Sequence, residues 1–325
     1  MNKVPTVSII IPVKKINDYI RESVPKILEL DYPEYEILIF PDDEDKQHSW
    51  PKTRIIPSGK VGPAEKRDLA LKYAKGEIFA FLDDDAYPRS DWLRMVVKHI
   101  SNRTVAVGGP ALTPSHDDVL QKTSGAVFES FLGAGGARDR YLPIGKSKKI
   151  FDWPTVNFSV KRSALEEIGG FDSTFWPGED TKLCLDLVKA GYDIIYEPKA
   201  IVYHHRRSNL LRHFVQIGNY ALHRGHFARI YPETSRKPFY FVPALFVLYL
   251  IFLLCSFWVV NPLLQQLFAI PAYLYIAGLF IDALIVAWRW KNLLVGLLTI
   301  PMILLTHVWY GIRFVQGLLT KSMKH

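Results

Sequence analysis

Gly76-Glu-Ile-Phe-Ala-Phe-Leu-Asp-Asp-Asp-Ala-Tyr-Pro88 is the stretch that decides the fold. Ile78 to Leu82 is a short, nearly continuous apolar run, with Gly76 before it and Pro88 after it. That is the pattern of a strand buried on both faces, as in a parallel sheet. Three acids, Asp83, Asp84 and Asp85, stand where the strand ends. Ligands of open α/β sheets bind outside the carboxyl ends of strands. Clustered carboxylates repel one another, so the site asks for a cation. Hard oxygen ligands suit Mg²⁺ or Mn²⁺, which can hold a diphosphate. Taken alone, Asp-Asp-Asp is also what a solvated acidic turn looks like; the rest of the chain weighs for the first reading.

Outward from this stretch, strands and helices alternate. Val7 to Val13 reads as a buried strand ending at Pro12. Asn17 or Asp18 is placed to cap a helix whose apolar positions, Ile20, Val24, Ile27 and Leu28, recur at helical spacing. Ile37 to Phe40 is a second strand, followed by Pro41-Asp42-Asp43, and Arg54 to Ile56 a third. Gly62-Pro63 opens a helix with Leu69, Ala70, Tyr73 and Ala74 on one face. Ser90 is expected to cap another, with Leu93, Val96, Val97 and Ile100 inward, before a strand at Val105 to Val107. Such alternation predicts an α/β fold, a mostly parallel sheet with helices on both faces.

From Gly108 to Ile150 the pattern dissolves. Glycines at 125, 133, 135, 136 and 145 punctuate it, and Lys146, Lys148 and Lys149 cluster near its end. This predicts a mobile connection, helical in part near Val127, of the kind that serves as a binding loop or lid. A strand at Val156 to Val160, a short helix at Ser163 to Ile168 and Gly169-Gly-Phe-Asp172 follow.

Trp176-Pro-Gly-Glu-Asp180 opens a helix with Leu183, Leu187 and Val188 inward and Gly191 as its stop. Acids in a first turn are favoured by the helix dipole, which is reason enough for Glu179 and Asp180. The same placement holds a carboxylate at a cleft rim, ready to take a proton or orient a hydroxyl. Both readings stand on position alone.

The chain has 325 residues, a length that suggests about two domains. Its net charge of +8 suits an anionic ligand or a lipid surface. No basic groove motif for nucleic acid is present. Two cysteines, Cys184 and Cys255, make no disulfide framework. Met-Asn-Lys-Val-Pro-Thr leads straight into the first strand, so no signal peptide is expected and the polar part is placed in the cytoplasm.

Ile194 to Tyr196 and Ile201 to Tyr203 read as two more strands, the second running into His204-His-Arg-Arg207. Leu210 to Ile230 follows as a basic amphipathic helix carrying Arg212, His213, His223, Arg224, His226 and Arg229. Such a helix lies among lipid headgroups, binds phosphate, or does both. Three apolar stretches follow, about 239–260, 264–288 and 293–319, each long enough to span a bilayer. The uncharged Asn261-Pro262 connection belongs outside, and Arg289 and Lys291 inside. Three crossings then leave Lys321 and Lys324 outside, against the positive-inside rule; a re-entrant last segment removes the conflict. Asp282, in mid-span, is expected to face a pore or a lipid ligand rather than lipid.

Together these pieces resemble the family-2 glycosyltransferases, inverting enzymes of the GT-A fold, over roughly residues 4 to 235. The resemblance is carried by Val7-Ser-Ile-Ile-Ile-Pro-Val13, Pro41-Asp-Asp43, Gly62-Pro-Ala-Glu-Lys-Arg-Asp-Leu-Ala70, Phe81-Leu-Asp-Asp-Asp-Ala86, Asn157-Phe-Ser-Val-Lys-Arg162, Gly169-Gly-Phe-Asp172 and Gly178-Glu-Asp180, in that order. His307-Val-Trp-Tyr-Gly-Ile-Arg-Phe-Val-Gln-Gly317 is similar, more loosely, to the membrane region of succinoglycan-type exopolysaccharide transferases. Pro41 departs from the family pattern, which often has a small or apolar residue there. The Gln-x-x-Arg-Trp motif of processive synthases is missing, since Gln216 is followed by Ile-Gly-Asn-Tyr.

The resemblance implies a division into a GT-A catalytic domain at 1–203, basic interfacial helices at 204–237 and transmembrane helices at 238–325. It places Pro12, Val13, Asp42, Arg67, Asp83 and Asp84 around a nucleotide-diphosphate sugar. Asp83 and Asp85, with His204 as an additional ligand, would hold Mn²⁺ or Mg²⁺. Asp180 is the implied general base, and Glu179 helps place the acceptor. Trp176, Arg206, Arg207, Arg212 and Arg224 are assigned to a lipid-linked acceptor, a glycan on a polyprenyl diphosphate. The implied protein is a multi-pass cell-membrane enzyme whose catalytic domain faces the cytoplasm. Transfer to a polyprenyl monophosphate, which needs no base, is the alternative, and a nucleotide-sugar-binding protein without turnover is a further one.

Overall fold

The computed structural model describes residues 4–171, 175 and 177–323. In chain order the elements are β1 (Val7–Pro12), α1 (Asp18–Leu28), β2 (Tyr35–Phe40), β3 (Thr53–Ile55), α2 (Pro63–Tyr73), β4 (Ile78–Phe81), β5 (Ala86–Pro88), α3 (Trp92–Val97), β6 (Thr104–Gly108) and β7 (Ala111–Leu112). Then come α4 (Val119–Glu129), α5 (Phe131–Ala134), β8 (Lys148–Ile150), β9 (Phe158–Lys161), α6 (Arg162–Glu167), α7 (Glu179–Lys189), β10 (Asp193–Tyr196) and β11 (Val202–His204). The chain ends in α8 (Leu210–Ile230), α9 (Pro232–Ser235), α10 (Pro238–Val259), α11 (Pro262–Trp290) and α12 (Leu293–Leu319). It divides into two compact units: one runs up to Pro114 and resumes over Asp139–His205, and the other joins Ser115–Arg138 to the chain from Arg206 onward.

In the first unit, among the described residues, eight strands form a sheet in the order β3-β2-β1-β4-β9-β6-β10-β8. Strands β1, β2, β3 and β4 are mutually parallel, as are β6 and β10, while β9 runs antiparallel between β4 and β6. The predicted α/β sheet is therefore present, with β9 and the edge strand β8 reversed. Ile9, Ile11, Ile37 and Ala80 pack one face against α1 and α3, and Ile10, Phe79, Phe81 and Phe158 fill the other. Both faces of β4 are thus buried, as its unbroken apolar run requires. Asn17 is the α1 cap, its Oδ1 accepting from Ile20 N at 2.9 Å.

The structure corrects or extends the sequence reading at three points. The helix after Ser90 starts at Trp92 with Asp91, not Ser90, at its cap position, and Asp91 makes no side-chain cap bond because its carboxylate binds Arg89. A short strand, β5, that the sequence did not signal follows the Asp cluster. It pairs antiparallel with β11, which also pairs parallel with β7, in a second small sheet. Within Gly108 to Ile150, read as a mobile connection, the helix expected near Val127 is present as α4, and α5 follows it. Asp118 and Gln121 form a capping box, and Thr123 to Glu129 are buried in the second unit.

In that second unit α4 and α8 both pack on α12, and α10 and α11 pack on it as well. Helix α8 lies along the C-terminal half of α12 in the same direction. His213 faces Thr306, Trp309 Nε1 donates to Phe214 O at 2.9 Å, and Arg229 donates to Lys321 O at 2.8 Å. Close approach depends on glycine: a Cβ on Gly225 would sit 2.1 Å from Phe314 O, and one on Gly317 2.0 Å from Leu222 O. Helices α10, α11 and α12 are each long and apolar enough to cross a membrane. Asp282 is buried, and its two carboxylate oxygens accept the amides of Phe131 at 3.2 Å and Leu132 at 3.0 Å at the start of α5.

Candidate active site

The Asp cluster sits in the turn from β4 into β5, closed by Ala86 N donating to Asp83 O at 3.2 Å. Pairing of β5 with β11 puts His204 opposite Ala86. His205 N then donates to Asp85 O at 3.0 Å, and His204 Nε2 lies 3.0 Å from Asp85 Oδ1. Asp83, Asp85 and His204 each offer one ligand atom, and these atoms lie within 4.8 Å of one another. Residues more than a hundred positions apart thus converge through a three-residue strand that carries no sequence signal of its own. Two carboxylates and an imidazole suit Mn²⁺, with its tolerance for nitrogen, and also Mg²⁺. The donor set fits a divalent cation.

Arg67, on α2, is buried and joins this cluster to the start of α7. Its Nη2 donates to Asp83 Oδ1 at 3.0 Å and its Nη1 to Glu179 Oε1 at 3.0 Å. The other Glu179 oxygen accepts Gly178 N at 3.0 Å. Gly178 precedes the helix with φ at 131°, a conformation that L side chains rarely adopt. Glu179 is buried and has both oxygens engaged, whereas Asp180 is half-buried, with its Oδ1 accepting Thr181 N at 2.7 Å. Thr181 Oγ1 in turn donates to the buried Asp152, which Arg140 also binds at 2.9 Å.

A second group lies at the end of β1. Pro12 and Val13 are buried there, and Val13 O accepts Lys66 Nζ at 2.5 Å. The same ammonium pairs with Asp42, which is half-buried. Asp84 turns away from its two neighbours and accepts Asn17 Nδ2 at 2.6 Å. Burial first, then the charge of Asp85, pushes its pKa up to about 6, against the Asn17 hydrogen bond.

The structure thus brings together Asp83, Asp85, His204, Arg67 and Glu179, and separately Val13 and Asp42. Trp176 lies outside the described residues. The four arginines assigned to the acceptor belong to the second unit and differ in setting. Arg206 is buried with its guanidinium over the Phe128 ring at 5.9 Å, and Arg207 and Arg212 are exposed. Arg224 is half-buried, donating to Ser235 Oγ at 3.3 Å and lying over Tyr240 at 5.0 Å. Sequence reasoning passed over Lys66 and Asp152 and gave Asn17 only its helix cap, yet each of the three orders an acid or helix start at the site. A signal existed in α2: two adjacent cations, Lys66 and Arg67, on a helix turned toward the sheet must be paired when buried.

Residues 8–169 match the family Glycosyl transferase family 2. The pre-mycofactocin glycosyltransferase of Mycobacterium tuberculosis is 32% identical over 149 residues, 46% of this chain and 31% of that protein, so the chain spans about a third of that relative's length. The dolichyl N-acetyl-alpha-D-glucosaminyl phosphate 3-beta-D-2,3-diacetamido-2,3-dideoxy-beta-D-glucuronosyltransferase of Methanococcus voltae is 23% identical over 335 residues, 96% of this chain and 97% of that protein. Among solved structures, the mannosyltransferase PcManGT from Pyrobaculum calidifontis, in complex with GDP-Man and Mn²⁺, superposes with a TM-score of 0.56 at 19% identity, over 99% of this chain and 89% of that chain. Strand order, acid cluster and these matches agree, and through residues 8–169 the chain belongs to glycosyl transferase family 2, with a GT-A fold.

Proposed function

We propose that the chain transfers a hexosyl unit, with inversion, from a nucleotide-diphosphate sugar to a sugar hydroxyl of a polyprenyl-linked glycan at the membrane surface. The convergence of Asp83, Asp85 and His204 carries the reading. The Methanococcus voltae relative, named for a dolichyl-linked sugar phosphate, matches along nearly the whole chain and supports the acceptor class. The Pyrobaculum calidifontis structure, with GDP-Man and Mn²⁺, supports a divalent cation beside the donor.

Asp83, Asp85 and His204 hold that cation, Mn²⁺ or Mg²⁺, which when bound neutralises charge on the leaving diphosphate. Pro12, Val13 and Asp42 line the nucleotide end of the pocket, where Lys66 fixes Asp42 and the Val13 carbonyl together. Arg67 keeps Asp83 and Glu179 in place. Since Glu179 has both oxygens engaged, the proton of the acceptor hydroxyl passes to Asp180 at the rim. The hydroxyl oxygen attacks the anomeric carbon as the bond to the diphosphate breaks on the opposite face. Domains at 1–203, 204–237 and 238–325 divide this work between chemistry, the interface and anchoring. The catalytic part faces the cytoplasm, where nucleotide sugars are made.

Nucleotide-diphosphate release, measured on full-length protein in lipid extract across a panel of donors, tests the proposal. One donor should give release that depends on both the cation and the lipid fraction. Release from no donor would remove the enzyme reading, and release with equal efficiency on a polyprenyl monophosphate would replace the acceptor.

A further inference from the structure

Phe131, Leu132, Gly278, Ile281, Asp282 and Ile285 line a groove of about 220 Å³ in the second unit. Its wall is apolar in effect, because the Asp282 carboxylate is taken by the Phe131 and Leu132 amides. Gly278 leaves it open: a Cβ there would reach 3.4 Å from Leu132 Cδ1. Ile281 is 60% exposed, so the groove faces outward on a helix apolar enough to cross a membrane.

One end of the groove is cationic. The Arg138 guanidinium lies 3.6 Å over the Phe131 ring, which is part of the wall. Arg289 stands one helical turn beyond Ile285, on the same face of α11. Its Nη1 is buried and makes no hydrogen bond, its one ion pair there being the long one to Glu129 Oε2 at 3.7 Å. Burial, and then the charge of Arg289, pushes the Arg138 pKa down against the pull of Asp282 and Glu129. Two guanidiniums close enough to repel, one with an unused donor, make a place for an anion. At ~1.5 Å rise per residue, the groove lies roughly 8–18 Å along α11 from Trp290. With Arg289 and Trp290 at headgroup level, it is at hydrocarbon depth.

The geometry points to a site for one isoprenoid phosphate, its phosphate between Arg138 and Arg289 and its first isoprene units in the groove. A single groove accepts one chain, where a diacyl phospholipid brings two. The inference rests on the lipid-linked acceptor proposed above and names where its carrier is held.

Full-length protein in phosphatidylcholine nanodiscs is loaded with dolichyl phosphate, dolichol or phosphatidylglycerol, and bound lipid is read by native mass spectrometry. Dolichyl phosphate should be retained, dolichol should not, and equimolar phosphatidylglycerol should fail to displace it. Gly278→Leu, and Arg138→Gln with Arg289→Gln, should each weaken retention by about tenfold or more, ~1.4 kcal/mol, with nucleotide-sugar binding unchanged. Ile281→Trp, at an exposed position, repeats the steric test without disturbing the packed wall. Undiminished retention in folded Ile281→Trp and in the double arginine variant overturns the site, as does displacement by phosphatidylglycerol. Retention that follows the variants while no lipid-linked sugar is ever glycosylated leaves the site standing and overturns the acceptor reading instead.

Discussion

In the catalytic unit the sheet core is built from fully buried large side chains, among them Ile9, Ile39, Phe79 and Phe81. In the membrane unit helix meets helix through small residues, at Gly225 and Gly317. Polar groups differ in the same way. In the catalytic unit acids collect at strand ends and meet cations. In the membrane unit Asp282 meets amides, and His213 meets the Ser124 and Thr306 hydroxyls. Asp282 and His213 are both buried, so their polar atoms must be satisfied by the chain itself. Charge changes should therefore act on rate in one unit, and volume changes on packing in the other.

The largest expected effect is at Asp180. Asp180→Asn keeps size and loses the proton acceptor, so acceptor-dependent turnover should fall by roughly 10² to 10⁴, with donor affinity nearly unchanged. Near-normal transfer by a folded variant would make Asp180 a helix-start acid and bring the monophosphate acceptor forward. Asp85→Asn, or chelation by EDTA, should lower turnover by about 10² or more, the scale for losing a major electrostatic stabiliser. Full activity in EDTA would remove the cation from the reaction.

Arg67 and Gly317 set the two units side by side. Arg67→Gln leaves the buried Glu179 and the partly exposed Asp83 without their cation. It should destabilise the catalytic unit by about 3 kcal/mol, the lower end for breaking a buried pair. Gly317→Val instead drives a side chain into the Leu222 carbonyl, and a loss of about 1–3 kcal/mol should be confined to the membrane unit. Hydrogen exchange resolved by segment separates the two, and loosening of both units by either variant would break the comparison.

Much of the first unit was legible because each strand carries its own signal. Apolar runs at 7–12 and 78–81, the Asn17 cap and the acids after β4 follow from local rules. Strand β5 was not legible, since three residues have no period, and it is the pairing of β5 with β11 that brings His204 to Asp85. Helix α4 was legible only near Val127, where Ala126, Val127 and Phe128 are buried; its first turns bury Gln121, Thr123, Ser124 and Gly125, a polar and small surface without an apolar period. Arg67 was visible as a residue, but its role as a bridge depends on two partners 16 and 112 positions away.

Acid should move the two units in opposite directions. Burial raises the Asp68 pKa to about 6, so this carboxyl favours folding below the ordinary carboxylate range, and the gain is lost as pH rises through 6. Burial, and then the Arg206 charge, lowers the His213 pKa to about 4. Its contribution is present above the ordinary histidine value of 6.5 and is lost as pH falls toward 4. Between about pH 6 and 4, exchange should slow around α2 and Phe171 and quicken in α8 near His213. Asp68→Asn and His213→Gln should each abolish one trend and spare the other.

The last expectation moves no rate. Arg236 Nε donates to Ala228 O at 3.2 Å, and the neighbouring Arg229 donates to Lys321 O at 2.8 Å. Residues 228 and 229 therefore touch both the approach to α10 and the end of α12. A third crossing would part Lys237 from Lys321 by a hydrocarbon core of about 30 Å. The expectation from these contacts is that both stay on one side, with α10 and α11, which meet where Tyr249 Oη donates to Phe268 O at 2.9 Å, as the crossing pair. That places Lys321 with Arg289 and Lys291, as the positive-inside rule asks. With the exposed Cys255 changed to Ser, single cysteines at Lys237, Asn261 and Lys321 can be probed in sealed vesicles with an impermeant maleimide. Lys237→Cys and Lys321→Cys should react from the same face and Asn261→Cys from the other. Joint labelling of Lys321→Cys with Asn261→Cys would mean that α12 crosses after all and that the Arg229 contact does not survive in the bilayer.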